Sequence, residues 1–362
     1  MQILASSVQR IDANLGTPTF KKIFIAVATF QLLLLFVKYG SSLGFDSIPI
    51  GDVSNYKQIA LGLLNHDLKP STFTHGPFYA ALAIPFLLIF PTSNPFPWIS
   101  AALFSLSSTI FLKKVIQVLS IKATLALLSF YVIALSSPIS RFILEGANNI
   151  TTYSLLVVSI SLLITRTSST YENVLLASLI CLSFGTRYVD VFLLLPILAP
   201  LIFRMFAPSR SLRLKAVVTA IFLLTVILTL SIHHFYLGGA LKTPYDAKVP
   251  STARIENLYA SESPQSQLKS RDLSKVFQRF DQVVVDNRLY TQPLDRVDQY
   301  TIYQKMPYLL LSPVGLALLL KRRLLQIKHV YLILLSIILW IIFYATGGPL
   351  QHTIFSTAVN AI

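Results

Sequence analysis

The stretch PFYAALAIPFLLIFPT, residues 77–92, decides the fold. It is apolar enough for lipid, yet prolines at 77, 85 and 91 interrupt it. Whether it crosses fixes the side on which every later segment lies. With the N-terminus, Lys21 and Lys22 in the cytoplasm, a crossing would put Lys113, Lys114 and Lys122 outside. A juxtamembrane or re-entrant 77–92 puts that cluster inside, together with Arg166, the Arg204–Lys215 group and Lys321–Lys328. Basic clusters favour cytoplasmic loops, and only the second choice satisfies all of them. Residues 77–92 are therefore read as an interfacial or re-entrant helix.

Working outward, apolar runs recur at 22–40, 97–112, 123–140, 148–164, 172–186, 190–206, 216–236, 306–320 and 329–346. The expected fold class is all-α: a polytopic transmembrane bundle of about nine spans, with juxtamembrane helices in the first external loop. The pair 172–206 reads as a tight hairpin turning at Gly185-Thr186-Arg187. Composition agrees with lipid as solvent. Of 362 residues 54% are hydrophobic, mean hydropathy is +0.65, and only 12% are charged, about half the share of a soluble domain. The net charge of +15 is divided among loops rather than gathered in one stripe, which argues against a nucleic-acid partner. The single Cys181 rules out an intrachain disulfide and cysteine-based metal chemistry. Residues 1–20 are polar and no small-residue cleavage site follows the first run, so that run is expected to be a retained anchor.

Three units of organisation follow. Residues 1–236 form a membrane module that includes an external loop, 41–76, and the interfacial helix 77–92. Residues 237–305, rich in Ser, Gln, Asp and Arg, form an external polar cap, and 306–362 hold the last spans and an external tail. Scarce external acids (Asp46, Asp52, Asp67, Glu145, Asp190 and Asp246) are where chemistry is sought. From Asp52, apolar residues recur at Val53, Tyr56, Ile59, Ala60, Leu63 and Leu64, the spacing of an amphipathic helix lying in the interface. Asp52 in its first turn serves equally well as a helix cap or as a catalyst.

The series Asp52, Tyr56, Ile59-Ala60, Leu63-Leu64 and His75-Gly76-Pro77-Phe78-Tyr79 resembles a motif of polyprenyl-phosphate-sugar-dependent glycosyltransferases of the GT-C superfamily. Among them are the protein O-mannosyltransferase and aminoarabinose transferase-like enzymes. The segment HHFYLGGALKTPYDA, His233 to Ala247, resembles the one that opens their external domain. Departures are Gly51 where the family has an acidic pair, Gly76-Pro77 for Pro-Pro, and fewer spans than the family's eleven or more. The resemblance implies a sugar moved from a polyprenyl-phosphate donor to a lipid, glycan or protein acceptor outside a plasma membrane. It makes Asp52 the general base or a ligand to a divalent cation (Mg²⁺ or Mn²⁺), with Glu145 as its partner, and sets Arg187 against the lipid phosphate.

Each residue has a plainer alternative. Glu145 stands four residues from Arg141, a helical ion-pair spacing. Arg187, suited to a phosphate by its fork of donors, has Asp190 three residues on. His75 either bonds the substrate or is an interfacial polar residue, and Tyr245 either shapes an acceptor pocket or faces solvent. His233 and His234, adjacent on a helix, point apart and suit interface anchoring better than a metal. Asn149-Ile150-Thr151 is a glycosylation sequon set too close to lipid for use. No Walker loop, dinucleotide fingerprint or zinc-protease motif occurs. A transporter or lipid flippase and a non-catalytic scaffold subunit are the rival functions; no inverted repeat supports the first.

Overall fold

The computed structural model describes residues 20–49, 52–68, 76–136, 143–165, 168–239, 317, 320–321 and 326–345. These are mostly helical, with no strand among the described residues. Two compact units divide the chain, Met1–Thr229 and Leu230–Ile362. The boundary falls inside the last helix assigned above to the membrane module. Most of the polar cap and the 306–320 run lie outside the described residues.

In the first unit the helices are α1 (Phe20–Tyr39), α2 (Asp52–Leu64), α3 (Phe78–Ala81), α4 (Ile84–Ile89), α5 (Phe96–Leu119), α6 (Ala123–Ser136), α7 (Asn149–Ile164), α8 (Thr170–Leu193) and α9 (Leu195–Met205); α10 (Leu212–Leu237) runs across the boundary. The second unit contains α11 (Ile327–Ala345). Three helices are long and apolar enough to cross a membrane: Phe20–Ser42, Phe96–Val118 and Leu212–Tyr236. They mark the chain as a membrane protein. Shorter apolar helices lie at Ala123–Val132, Asn149–Ile164, Leu195–Met205 and Ile327–Leu339.

Helix α5 is the centre of the first unit, packed against α1 and α7, and α7 in turn carries α8 and α9. Serines and threonines make this close packing possible. Ser100, Ser105, Ser108 and Thr109 on α5 and Thr151, Ser154, Ser159 and Ser161 on α7 are buried. Several return their hydroxyls to backbone, as Thr109 does to the Ser105 carbonyl (2.6 Å) and Ser161 to that of Val157 (2.6 Å). Small side chains let helix backbones approach, and the internal bond satisfies a hydroxyl that lipid would leave bare.

Two ends of this unit can be told apart by their contacts. At one, Phe20 meets Tyr171 edge to face (6.0 Å) and Lys114 pairs with Glu172 (3.0 Å). Arg204 donates to the carbonyls of Leu162 (2.7 Å) and Thr165 (3.1 Å), and Arg210 to the carbonyl of Ser168 (3.1 Å). At the other, the Tyr39 hydroxyl donates to the Leu144 carbonyl, Tyr79 to that of Gly146 (2.7 Å), and Arg187 to Asn149 (2.6 Å). Residues of two basic clusters, Lys114 of the first and Arg204 and Arg210 of the second, thus gather at the Lys114 end.

Residues 77–92 behave as their prolines require. They form two helices of four and six residues instead of one interrupted helix, and both ends of the segment are held at the Arg187 end. Tyr79 packs against Phe96 (5.6 Å), Phe90 against Phe45 (5.6 Å), and the Asn94 N–H donates to the Phe45 carbonyl (2.7 Å). A six-residue helix advances only about 9 Å.

The pair expected at 172–206 is present, with its first helix broken at a kink in the expected turn. Helical bonding runs from Thr170 through to Leu193, and only Arg187 leaves helical geometry (φ −144°, ψ 71°). Beyond the kink the chain returns, and Arg210 reaches back to Ser168. The amphipathic helix α2 differs from expectation. Val53, Tyr56, Ile59 and Ala60 are buried, and this face is covered by α3 and α4 rather than by lipid.

Candidate functional site

The Arg187 end brings several of the singled-out residues together. Asp52 opens α2; its side chain, His75 and Tyr245 lie outside the described residues. Tyr56, one turn along α2, is fully buried and packs edge-on against Tyr79 (5.4 Å) and against Phe96 (6.1 Å). It is a core residue joining α2 to α3, not a side chain open to substrate. Lys57, its neighbour, donates to the Thr92 carbonyl (2.8 Å), and partial burial lowers the pKa of its amine. That bond ties the exposed side of α2 to the end of the 77–92 segment.

Tyr79 is the hub. Its ring is fully buried, its hydroxyl bonds Ser100 (2.9 Å) and the Gly146 carbonyl, and its N–H donates to the Thr186 hydroxyl (3.1 Å). Gly76, beside His75, donates its N–H to the Thr186 carbonyl (3.0 Å). The segment after His75 is thus bonded directly to the residue before Arg187. Two glycines make this approach possible. A Cβ on Gly76 would lie 2.1 Å from the Gly185 carbonyl oxygen, and one on Gly185 would lie 2.2 Å from the Phe78 ring. Gly76, a departure from the glycosyltransferase pattern, is therefore required here by space and by its N–H, which proline would lack. Gly146 has the same character, with φ +78° and Phe96 backbone 2.5 Å from any Cβ.

Arg187 sits in a bracket built from α7 and α8. Its Nε meets Asp190 Oδ2 at 3.0 Å and its Nη1 donates to Asn149 Oδ1 at 2.6 Å. Thr152 donates its hydroxyl to the same oxygen of Asp190, which is only 2% exposed. Asn149 and Thr152 are one turn apart on α7, and Arg187 and Asp190 one turn apart on α8, so two helical faces interlock. The local ion pair weighed from sequence is present. Asn149 and Thr152 escaped the sequence reading: Asn149 was noticed only as a sequon, and no local spacing links position 149 to 187. Asn148, also buried, holds the Thr151 hydroxyl through its carbonyl (2.8 Å).

Glu145 lies near enough for its charge to reach the Tyr39 hydroxyl, in a helical turn at 143–145. It belongs to the same end as Arg187, one residue from the carbonyl that Tyr79 holds. A divalent cation between Asp52 and Glu145 is what the resemblance allows. Among the described residues no group of three or more His, Cys, Asp or Glu side chains could hold an ion, and Asp190 is engaged by Arg187 and Thr152. His233 and His234 close α10, whose end belongs to the second unit.

Compared with protein-family models, with curated proteins and with solved structures, the chain matches none of them.

Proposed function

We propose that this protein is a membrane glycosyltransferase of GT-C type, which moves a sugar from a polyprenyl-phosphate donor to an acceptor on the extracytoplasmic side of a plasma membrane. The observation that carries the reading is the junction at the Arg187 end. The helix that begins at Asp52 packs through Tyr56 on Tyr79, and the Gly76–Tyr79 segment bonds Thr186 beside Arg187. The motifs bearing the candidate base and the candidate phosphate ligand are thereby linked within one end of one unit.

In this reading the Lys114 end faces the cytoplasm, residues 77–92 stay at the outer interface, and about nine spans cross the bilayer. The positive-inside rule favours that orientation. Transfer needs a base on the acceptor and a positive group near the leaving phosphate. The acceptor oxygen bonds the anomeric carbon as the bond from that carbon to the phosphate oxygen breaks, its electron pair leaving with the phosphate. The hydroxyl proton passes to the Asp52 carboxylate. Arg187 holds the phosphate while negative charge grows on it. Glu145 orients the acceptor.

A non-catalytic membrane subunit is the second reading, favoured by one observation: Arg187 already has Asp190 and Asn149 as partners. Membranes bearing the protein, given radiolabelled polyprenyl-phosphate sugar, distinguish the readings. Transfer that Asp52→Asn abolishes supports the enzyme; unchanged transfer in that variant removes its centre. Movement of the lipid without transfer indicates a flippase, and neither activity a subunit.

A further inference from the structure

A fork of donors is an effective phosphate ligand when its charge is uncompensated. Here it is compensated. Asp190 is buried at 2% exposure, sits 3.0 Å from the guanidinium, and is fixed by the Thr152 hydroxyl on the same oxygen. Asn149 adds a neutral acceptor 2.6 Å from the other side. The Arg187 side chain is 23% exposed, against 3% for that of Asp190, so the counter-charge is the more deeply buried of the two. Such an arrangement attracts an anion weakly and orients it well.

The consequence depends on how charge changes in the reaction. The donor is a phosphodiester with one negative charge. The product left after transfer is a phosphate monoester, carrying about −1.5 to −2 at neutral pH. A bare arginine would hold that product more firmly than the donor it must next accept. An inward carboxylate lowers the positive potential at the site equally for either ligand, and the attraction lost is larger for the more highly charged one.

We propose that Asp190, locked by Thr152, is a specificity-determining residue that weakens the grip of Arg187 on polyprenyl monophosphate and so favours release of the spent carrier. The inference rests on the glycosyltransferase reading above. Asp190 touches neither the sugar nor the reacting atoms; it acts through Arg187, and Asn149 holds the guanidinium plane without altering its charge.

Opposite changes of charge test this. The full chain in phosphatidylcholine vesicles is titrated with polyprenyl monophosphate, with unphosphorylated polyprenol as the control. Asp190→Asn, close in shape and still able to accept from Thr152, is expected to bind the monophosphate about tenfold tighter, the scale of one unit charge removed several ångströms away in a partly screened site. Asn149→Asp, which adds a carboxylate beside the same guanidinium, is expected to weaken binding by a similar factor. Polyprenol affinity stays the same in all three proteins. Misfolding would lower both variants together and cannot imitate a tighter one. Wild type that prefers the monophosphate, beside variants that do not shift in opposite directions, overturns the role of Asp190 alone. If Asp190→Asn does not fold, an unchanged affinity in Asn149→Asp is enough to overturn it. Wild type that binds monophosphate no better than polyprenol overturns the glycosyltransferase reading beneath it.

Discussion

At the Lys114 end the helices of the first unit are joined by charge: a buried ion pair, and two arginines set on carbonyls at the end of α7 and before α8. At the Arg187 end they are joined mainly by absence of side chain, where Gly76, Gly146 and Gly185 let backbones touch, with one polar bracket between α7 and α8. The two ends therefore fail in opposite ways. Charge contacts are broken by taking an atom group away, since the remaining partner is left uncompensated in a medium that cannot solvate it. Glycine contacts are broken by adding one, since the space has been given to a neighbouring backbone.

The largest effect is expected where one member of the ion pair is removed. Glu172→Gln takes the carboxylate from beside Lys114, a residue only 8% exposed, and should lower stability by about 3–5 kcal/mol, read by thermal unfolding in detergent. Replacing both partners together, Lys114→Met with Glu172→Leu, should recover most of the loss. If the single and double variants lose equally, the pair is not what holds that end.

Next comes addition at the other end. Gly76→Ala is expected to cost about 3 kcal/mol, the upper part of the range for overpacking, because its Cβ would meet backbone at 2.1 Å rather than a flexible side chain. Gly40→Ala sharpens the point: no atom lies within 4 Å of its Cβ, although its φ of +66° is unfavourable to a side chain. It should lose about 1 kcal/mol. Equal losses at positions 40 and 76 would show that conformation, not space, is what glycine supplies.

Smaller effects separate single bonds. Tyr79→Phe keeps the buried ring and removes the hydroxyl from Gly146 and Ser100, for an expected loss of about 1–2 kcal/mol. At the opposite end, Ser169 and Glu172 form a reciprocal cap at the start of α8: the Ser169 hydroxyl accepts from the Glu172 N–H (3.2 Å), and the Glu172 carboxylate accepts from the Ser169 N–H (2.9 Å). Ser169→Ala should cost about 1 kcal/mol. A loss as large as that of Glu172→Gln would assign the strength of this end to the cap instead of the ion pair.

Much of the helix layout is legible in the chain. Apolar runs begin and end within a few residues of α1, α7, α10 and α11, because a helix in lipid must satisfy its own backbone and offer apolar side chains all round. Helix α5 continues to Leu119, past the run at 97–112. The helix from Asp52 follows its 3.6-residue spacing, and the break at Arg187 falls in the turn read from Gly185-Thr186-Arg187. Less legible was the burial of that first helix's apolar face. Spacing reveals which residues share a face but is silent on whether lipid or Tyr79 and Phe96 cover it. Of the candidate site, Arg187 and Asp190 could be paired from their three-residue separation. Asn149 and Thr152 could not, being 38 positions from their partners.

What the sequence determined alone is the solvent: long apolar runs with only 12% charged residues between and within them suit lipid, where a soluble fold would need a charged surface. What tertiary structure decided is which backbones touch. Gly76 and Gly185 are ordinary glycines until the chain returns across more than a hundred residues to press one against the other. Local periodicity is set by bonds within a few residues, whereas a close approach of distant backbones depends on how whole helices stack, and no short window of residues records it.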